Sequence, residues 1–208
     1  MVRKLLVGLL ALSMILFLFG CKDDDEENTG PSEEEKVSEI MDSNKRVDED
    51  QLKVGDEISN EHGDFIIHKI TTEEVETEEI PVNVKISRML AASGEVKGSF
   101  VGILGKEVLD YIEFDVRIEN ITDEIINFPI VKAKMITNTG EEIDSGDILL
   151  SDFVPDEIRS QVYVHGKFYY VLEDTKAEDV ESVQIIWDSP VNEAGETMGK
   201  DVEIEVVF

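Results

Sequence analysis

The stretch YIEFDVRIEN, residues 111–120, alternates without a fault: Ile112, Phe114, Val116 and Ile118 are apolar, and Glu113, Asp115, Arg117 and Glu119 between them are charged. Successive side chains of a strand point to opposite faces, so this period of two describes a strand with one buried face and one wet face. The same period recurs on both sides of it. Downstream, Val131, Ala133 and Met135 interleave with Lys132 and Lys134. Val162, Val164, Phe168, Tyr170 and Leu172 share one parity, broken only at Gly166. Val183, Ile185 and Trp187 form another run, and Val202, Ile204, Val206 and Phe208 close the chain. Upstream, residues 52–58, 65–71 and 82–86 read as further strands.

Turn signals separate most of these runs: His62-Gly63, Asn138-Thr139-Gly140, Ser145-Gly146 and a long loop over residues 189–200. Helical stretches are confined to short candidates at residues 89–92 and 176–180. Seven to nine short antiparallel strands with irregular spacing predict an all-β sandwich of two sheets over residues 51–208.

Composition narrows the function classes. The chain has 208 residues with 19 basic and 48 acidic side chains, a formal net charge of −29. Affinity for a phosphate backbone comes largely from Lys and Arg, so a nucleic-acid partner is excluded. One cysteine excludes a disulfide framework and any multi-thiolate metal site.

Residues 1–20 stand apart. Arg3 and Lys4 precede an uncharged, largely apolar run over residues 5–19, which is a signal-peptide pattern and falls short of the ~20 residues that cross a bilayer as a helix. At its end Leu18, Phe19, Gly20 and Cys21 resemble the lipobox of bacterial lipoproteins. That resemblance implies cleavage before Cys21 and acylation of its sulfur, with palmitate-type chains holding the protein to the extracytoplasmic side of the cell membrane. Two acyl chains hold where one is marginal, at roughly 0.8 kcal/mol for each buried methylene. A plain secretory signal or an uncleaved anchor helix, with Cys21 an unmodified thiol, is the alternative.

Without residues 1–20 the chain has 17 basic and 48 acidic groups, so the acidity belongs to the exported part. Residues 21–50 read as an acidic, flexible linker, with acid runs at residues 23–27 and 33–35. A short helix after Pro31, using Ser32, Glu35, Val37, Ile40 and Met41, is the one local alternative there, and it would be marginal alone.

Within residues 51–208 the order Val54-Gly55-Asp56, the strand at 65–71, Arg117-Ile118-Glu119-Asn120 with Thr122 and Asp123, and Thr139-Gly140-Glu141 resembles the small immunoglobulin-like extracellular domains of Gram-positive lipoproteins. The resemblance implies an immunoglobulin-like sandwich in a group without an assigned biochemical role. Residues 73–105 depart from it, being longer than the connection expected there.

Chemistry is sparse in the sequence. No Gly-x-Ser-x-Gly elbow is present, and His62, His68 and His165 are the whole imidazole supply. Asp144, Asp147 and Asp152 cluster around Gly146 as candidate calcium ligands, although their spacing misses the twelve-residue loop pattern. A pair of carboxylates for hydrolysis is always available among 48 acids and therefore points nowhere in particular. The strand over residues 161–172 offers a recognition surface, because Tyr163, His165, Lys167 and Tyr169 share the outward parity and Tyr is favoured at interfaces. The loop over residues 191–200, with Gly195 and Gly199, is a second candidate. The expected function is a lipid-anchored binding module without enzymatic activity or cofactor. Its expected partners are the membrane, through Cys21, and an envelope or extracellular protein ligand. A cation-responsive envelope protein and an unrecognised hydrolase are the alternatives.

Overall fold

The computed structural model describes residues 51–208; the stretches expected to be a signal sequence and a linker, with Cys21, lie outside the described residues. The described chain is all-β, and every strand pairing in it is antiparallel. Its largest sheet takes β1 (Glu57–Ser59), β2 (Gly63–Thr71), β3 (Val75–Glu79), β4 (Val82–Val96), β5 (Val108–Asn120) and β10 (Tyr163–Leu172). A second sheet has the order β13 (Val202–Val207), β11 (Ser182–Trp187), β7 (Lys134–Thr137), β8 (Glu142–Ile143). A third, of two-residue strands, joins β12 (Val191–Asn192), β6 (Ile126–Asn127) and β9 (Glu157–Ile158).

The opening stretch of sequence is an interior strand of the large sheet, next to its β10 edge. β5 is hydrogen-bonded on one side to β4 and on the other to β10, with Phe114 opposite both Met89 and Phe168. Its inward residues meet the inward residues of β11 and β13, among them Ile185, Trp187, Val202 and Ile204, in one continuous apolar core between the sheets. That is a sandwich arrangement. Aromatic rings build much of it: Phe114 stacks on Phe168 and Tyr170 at 5.9 and 5.6 Å between centroids. Two buried polar tips tie across it, the Tyr170 hydroxyl donating to the Ala133 carbonyl at 2.8 Å and the Trp187 indole to the Ile130 carbonyl at 3.0 Å.

Several elements differ from the expectation, each for a physical reason. Residues 89–92 are strand, not helix, because β4 runs unbroken for 15 residues. The register against β5 slips between Ile86 and Arg88, which inserts one extra residue and exchanges the two faces. Val82, Val84 and Ile86 therefore face the inter-sheet core before the bulge, and Met89 and Ala91 face it afterwards. Leu90 and Ala92 then point to the other face and are buried there as well. Residues 73–105 are long because they contain β3, β4 and a short helix, α1 (Ser99–Leu104).

Only Glu57 and Ile58 of residues 52–58 join a strand, since a turn at Gly55 precedes β1. Residues 130–132 form a single 3-10 turn, so β7 starts at Lys134, and Ala177–Asp179 form another 3-10 turn. Gly166 breaks the parity of β10 because its space is occupied: a Cβ there would lie 2.6 Å from Cγ2 of Val154.

One polar staple links distant turns. Glu141, beside the turn at Gly140, accepts backbone N–H bonds from Glu173 at 2.7 Å and Thr175 at 2.8 Å. Burial works to raise its pKa, but these bonds, with those from Asp174 and the Thr175 hydroxyl, outweigh burial and hold it below the ordinary carboxylate value. A lowered folded-state pKa stabilises the fold above the unfolded carboxyl's pKa, and that stabilisation is lost as pH falls through the folded value. Glu141→Gln is accordingly expected to lower the urea midpoint at pH 7 and to flatten its decline between pH 5 and pH 3. An unchanged acid limb would rule the staple out as its source.

Candidate functional site

Period two would leave the charged face of β5 in water along its whole length. It does so only at one end. Towards the start of β5 the outer face of the large sheet carries a second apolar cluster of Phe65, Ile67, Leu90, Ala92, Val96, Leu109 and Tyr111. Phe100, Val101 and Leu104 of α1 cover it, with Leu52, Ile58 and Leu150. Between this cover and the sheet lies a cavity of about 280 Å³. Its walls are mainly apolar or aromatic, and Arg88, Glu113, Lys167 and Tyr169 line it too. A mostly apolar hollow with a few converging polar groups is the usual form of a small-molecule site.

The four polar residues form one cluster, with Arg88 and Glu113 buried and Lys167 and Tyr169 half-buried. Arg88, re-aimed by the bulge in β4, donates from Nη2 to Oε1 of Glu113 at 2.8 Å and from Nε to Oδ2 of Asp115 at 2.8 Å. The side chains of Arg88 and Glu113 are only 8% and 7% exposed, so both charges are withdrawn from water and depend on each other. Lys167 Nζ lies 3.4 Å from the same Glu113 oxygen. Burial pushes the Glu113 carboxyl above its ordinary pKa, while Lys167, Arg88 and a hydrogen bond from the Tyr169 hydroxyl pull the other way. Burial likewise raises the Tyr111 phenol, with the Glu113 charge adding to it. At the rim, His62 packs against Phe100 with ring centroids 4.1 Å apart. Apolar side chains stay in solvent near it, including Ile103 on α1 and Ile148 and Leu149 on the loop before β9.

The row expected on β10 is split by this cover. Lys167 and Tyr169 do point to the outer face, but they line the cavity instead of presenting themselves to a flat surface. Tyr163 and His165, four and two residues before Lys167 on β10, remain exposed. The Arg117 guanidinium lies 4.0 Å from the Tyr163 ring centroid, a cation–π contact.

The three aspartates take separate structural tasks. Asp147 Oδ1 accepts from the backbone of Leu149 at 2.8 Å and Leu150 at 3.1 Å, which shapes the loop that walls the cavity. Asp152 Oδ2 accepts from the Lys167 N–H at 2.9 Å and so fastens that loop along the edge of β10. Asp144 lies near Lys134, whose ammonium is paired with Glu142. Among the described residues no group of three or more His, Cys, Asp or Glu is placed to hold a metal ion. The loop over residues 191–200 contains β12 and a bridge from Val191 to Thr197. Residues 18–21, with the candidate cleavage and lipidation positions, lie outside the described residues.

Sequence reasoning passed over Arg88, Glu113 and α1. A signal for them existed: Arg88-Met89-Leu90-Ala91-Ala92 is apolar at both parities after the first residue, which marks a strand covered on both faces. Residues 99–104, SFVGIL, supply the apolar cover.

The fold and the cavity together define an antiparallel β-sandwich with an additional, partly covered outer face. No family model matches the chain. It is 27% identical over 155 residues to the SPbeta prophage-derived uncharacterized lipoprotein YonS of Bacillus subtilis (strain 168), a match that covers 74% of this chain and 71% of the relative. Its fold is similar to that of a functionally unknown protein from Listeria monocytogenes EGD-e, with a TM-score of 0.52 and 11% identity over 70% of this chain and 87% of the other.

Proposed function

We propose that this protein is an extracytoplasmic lipoprotein that acts by binding and not by catalysis. Residues 1–20 are its cleaved signal, Cys21 carries the acyl chains, and residues 21–50 tether an immunoglobulin-like sandwich outside the cell membrane. The lipobox pattern at Leu18, Phe19, Gly20 and Cys21 supports the anchor, as does the relative whose name is that of a lipoprotein. The observation that carries the binding reading is the cavity of about 280 Å³ over the outer face of the large sheet. Its charged residues lie in an ion cluster at hydrogen-bonding distances, which supports a role in fixing the polar part of a ligand.

Two measurements test the two halves of this reading. Cells grown with labelled palmitate are expected to label the wild-type protein and leave it in the membrane fraction, whereas Cys21→Ser is expected to lose both label and membrane retention. Label on the Cys21→Ser chain would refute the anchor. The chain from residue 21 onward carrying Cys21→Ser needs no detergent, and the neutral apolar dye N-phenyl-1-naphthylamine is expected to brighten on binding it at a single site. No enhancement, or an enhancement unaffected by Leu149→Asp at the rim, would refute the cavity as a binding site.

A further inference from the structure

The polar end of the cavity is balanced in charge. Arg88 and Lys167 bring two positive charges to it. The carboxylates of Glu113, 2.8 Å from Arg88 and 3.4 Å from Lys167, and of Asp115, 2.8 Å from Arg88, bring two negative ones. A ligand that carried a net charge into this cluster would meet no spare counter-charge and would still lose its hydration on leaving water. A hydroxyl both donates and accepts, so it joins such a cluster without upsetting the balance. The polar end therefore favours a neutral head over an ionic one.

The rest of the lining is rich in rings. Phe65 of β2, Tyr111 of β5 and Tyr169 of β10 form a row on the outer face of the large sheet, with centroids 5.5 Å apart for the first pair and 5.7 Å for the second. Phe100 of α1 and His62 add a second pair at the rim, and all five residues line the cavity. Rings set edge to face or offset attract one another beyond the area they bury. A flat, rigid ring system gains this from several walls at once, whereas a flexible alkyl chain gains none of it and gives up rotamer freedom on binding. Size sets the number of rings. An apolar cavity of about 150 Å³ holds one benzene ring. This one, at about 280 Å³, is roughly twice as large and suits two fused rings.

From the balanced cluster, the ring lining and the volume, we infer that the cavity takes a neutral molecule of two fused aromatic rings bearing one hydroxyl-type group. Its rings lie between the row of Phe65, Tyr111 and Tyr169 and the Phe100 ring, and its hydroxyl meets the cluster of Arg88, Glu113 and Lys167. The inference rests on the binding reading above and adds the ligand class to it.

Calorimetric titration of the Cys21→Ser chain from residue 21 onward, at pH 7, tests it with 2-naphthalenemethanol, its anionic counterpart 2-naphthoate, its cationic counterpart 2-naphthylmethylammonium, and 1-octanol. The naphthalene alcohol is expected to bind one to one, at least tenfold more tightly than either charged counterpart and at least fivefold more tightly than 1-octanol, and to displace N-phenyl-1-naphthylamine. Phe100→Leu is expected to weaken the naphthalene alcohol by fivefold or more while the affinity for 1-octanol stays within twofold. Equal losses for the two alcohols would overturn the role of the rings. On the unsubstituted chain, a charged counterpart or 1-octanol that binds as tightly as the naphthalene alcohol would overturn the inference without recourse to any variant. So would dye binding that the naphthalene alcohol fails to displace, which leaves the cavity a binding site for another class. If neither the dye nor any of the four compounds binds, the binding reading itself falls.

Discussion

Arg88→Met is expected to destabilise the domain by about 3–5 kcal/mol, read as a fall in the urea midpoint at pH 7, because it leaves a buried carboxylate without its principal partner. Glu113 is 7% exposed and Arg88 8%, and the pair is joined at 2.8 Å. Lys167, at 3.4 Å from the same oxygen, would compensate only in part. Glu113 also gives the loss a pH signature. Burial already raises its folded-state pKa, and removing Arg88 raises it further. A carboxyl with a raised folded pKa holds its proton in the fold at pH values where the unfolded chain has released it, so stability falls as pH rises through that interval. The variant is therefore expected to recover part of its loss when pH is lowered from 7 towards 5. Replacing both partners, as Arg88→Met with Glu113→Leu, is expected to recover most of the stability, since an apolar pair of similar volume leaves no charge stranded. A single-variant loss below about 1 kcal/mol would place the pair with ordinary exposed ion pairs.

Trp187→Ala is expected to cost about 3–5 kcal/mol, the range for emptying an aromatic site in a core that relaxes only partly. Trp187 is 1% exposed at the end of β11, packed 6.2 Å from the Phe128 ring, and its indole donates to the Ile130 carbonyl. Alanine would both leave a void and remove the indole's hydrogen bond, so that the carbonyl keeps only the Ala133 N–H at 3.3 Å. Trp187→Phe keeps most of the ring and loses only the hydrogen bond and part of the volume, so its cost is expected to be less than half as large. It is the only tryptophan in the chain, so both variants are followed by circular dichroism during urea denaturation. Equal losses for the two would mean that the hydrogen bond and not the packing holds the second sheet in place.

These two residues show what is legible at each level. Trp187 is placed by pattern alone: Val183, Ile185 and Trp187 share a parity, and all three are buried in the inter-sheet core. The same holds for Phe114, Phe168 and Tyr170. Glu113 is legible only as a charged residue of an ordinary strand, and Arg88 falls between the strand expected at residues 82–86 and the helix candidate at 89–92. Within β4 the run Met89-Leu90-Ala91-Ala92, apolar at both parities, signals cover on both faces, whereas the strict alternation of β5 gives no such sign. The cover comes from α1, in the connection between β4 and β5, and from the loop before β9, and a one-residue bulge turns Arg88 towards it.

The sequence by itself determined an antiparallel β-sandwich, since alternation at period two assigns each side chain a face regardless of what lies opposite. It also determined the character of the chain's beginning, where an apolar run ending in its only cysteine and an acidic stretch after it are properties of composition and order. Tertiary structure alone decided that the wet face of the central strand is dry at one end. Burial of a charge depends on which segment folds over it. That is also why a buried pair of opposite charges, Arg88 and Glu113, stands inside a domain whose sequence, counted residue by residue, is overwhelmingly acidic.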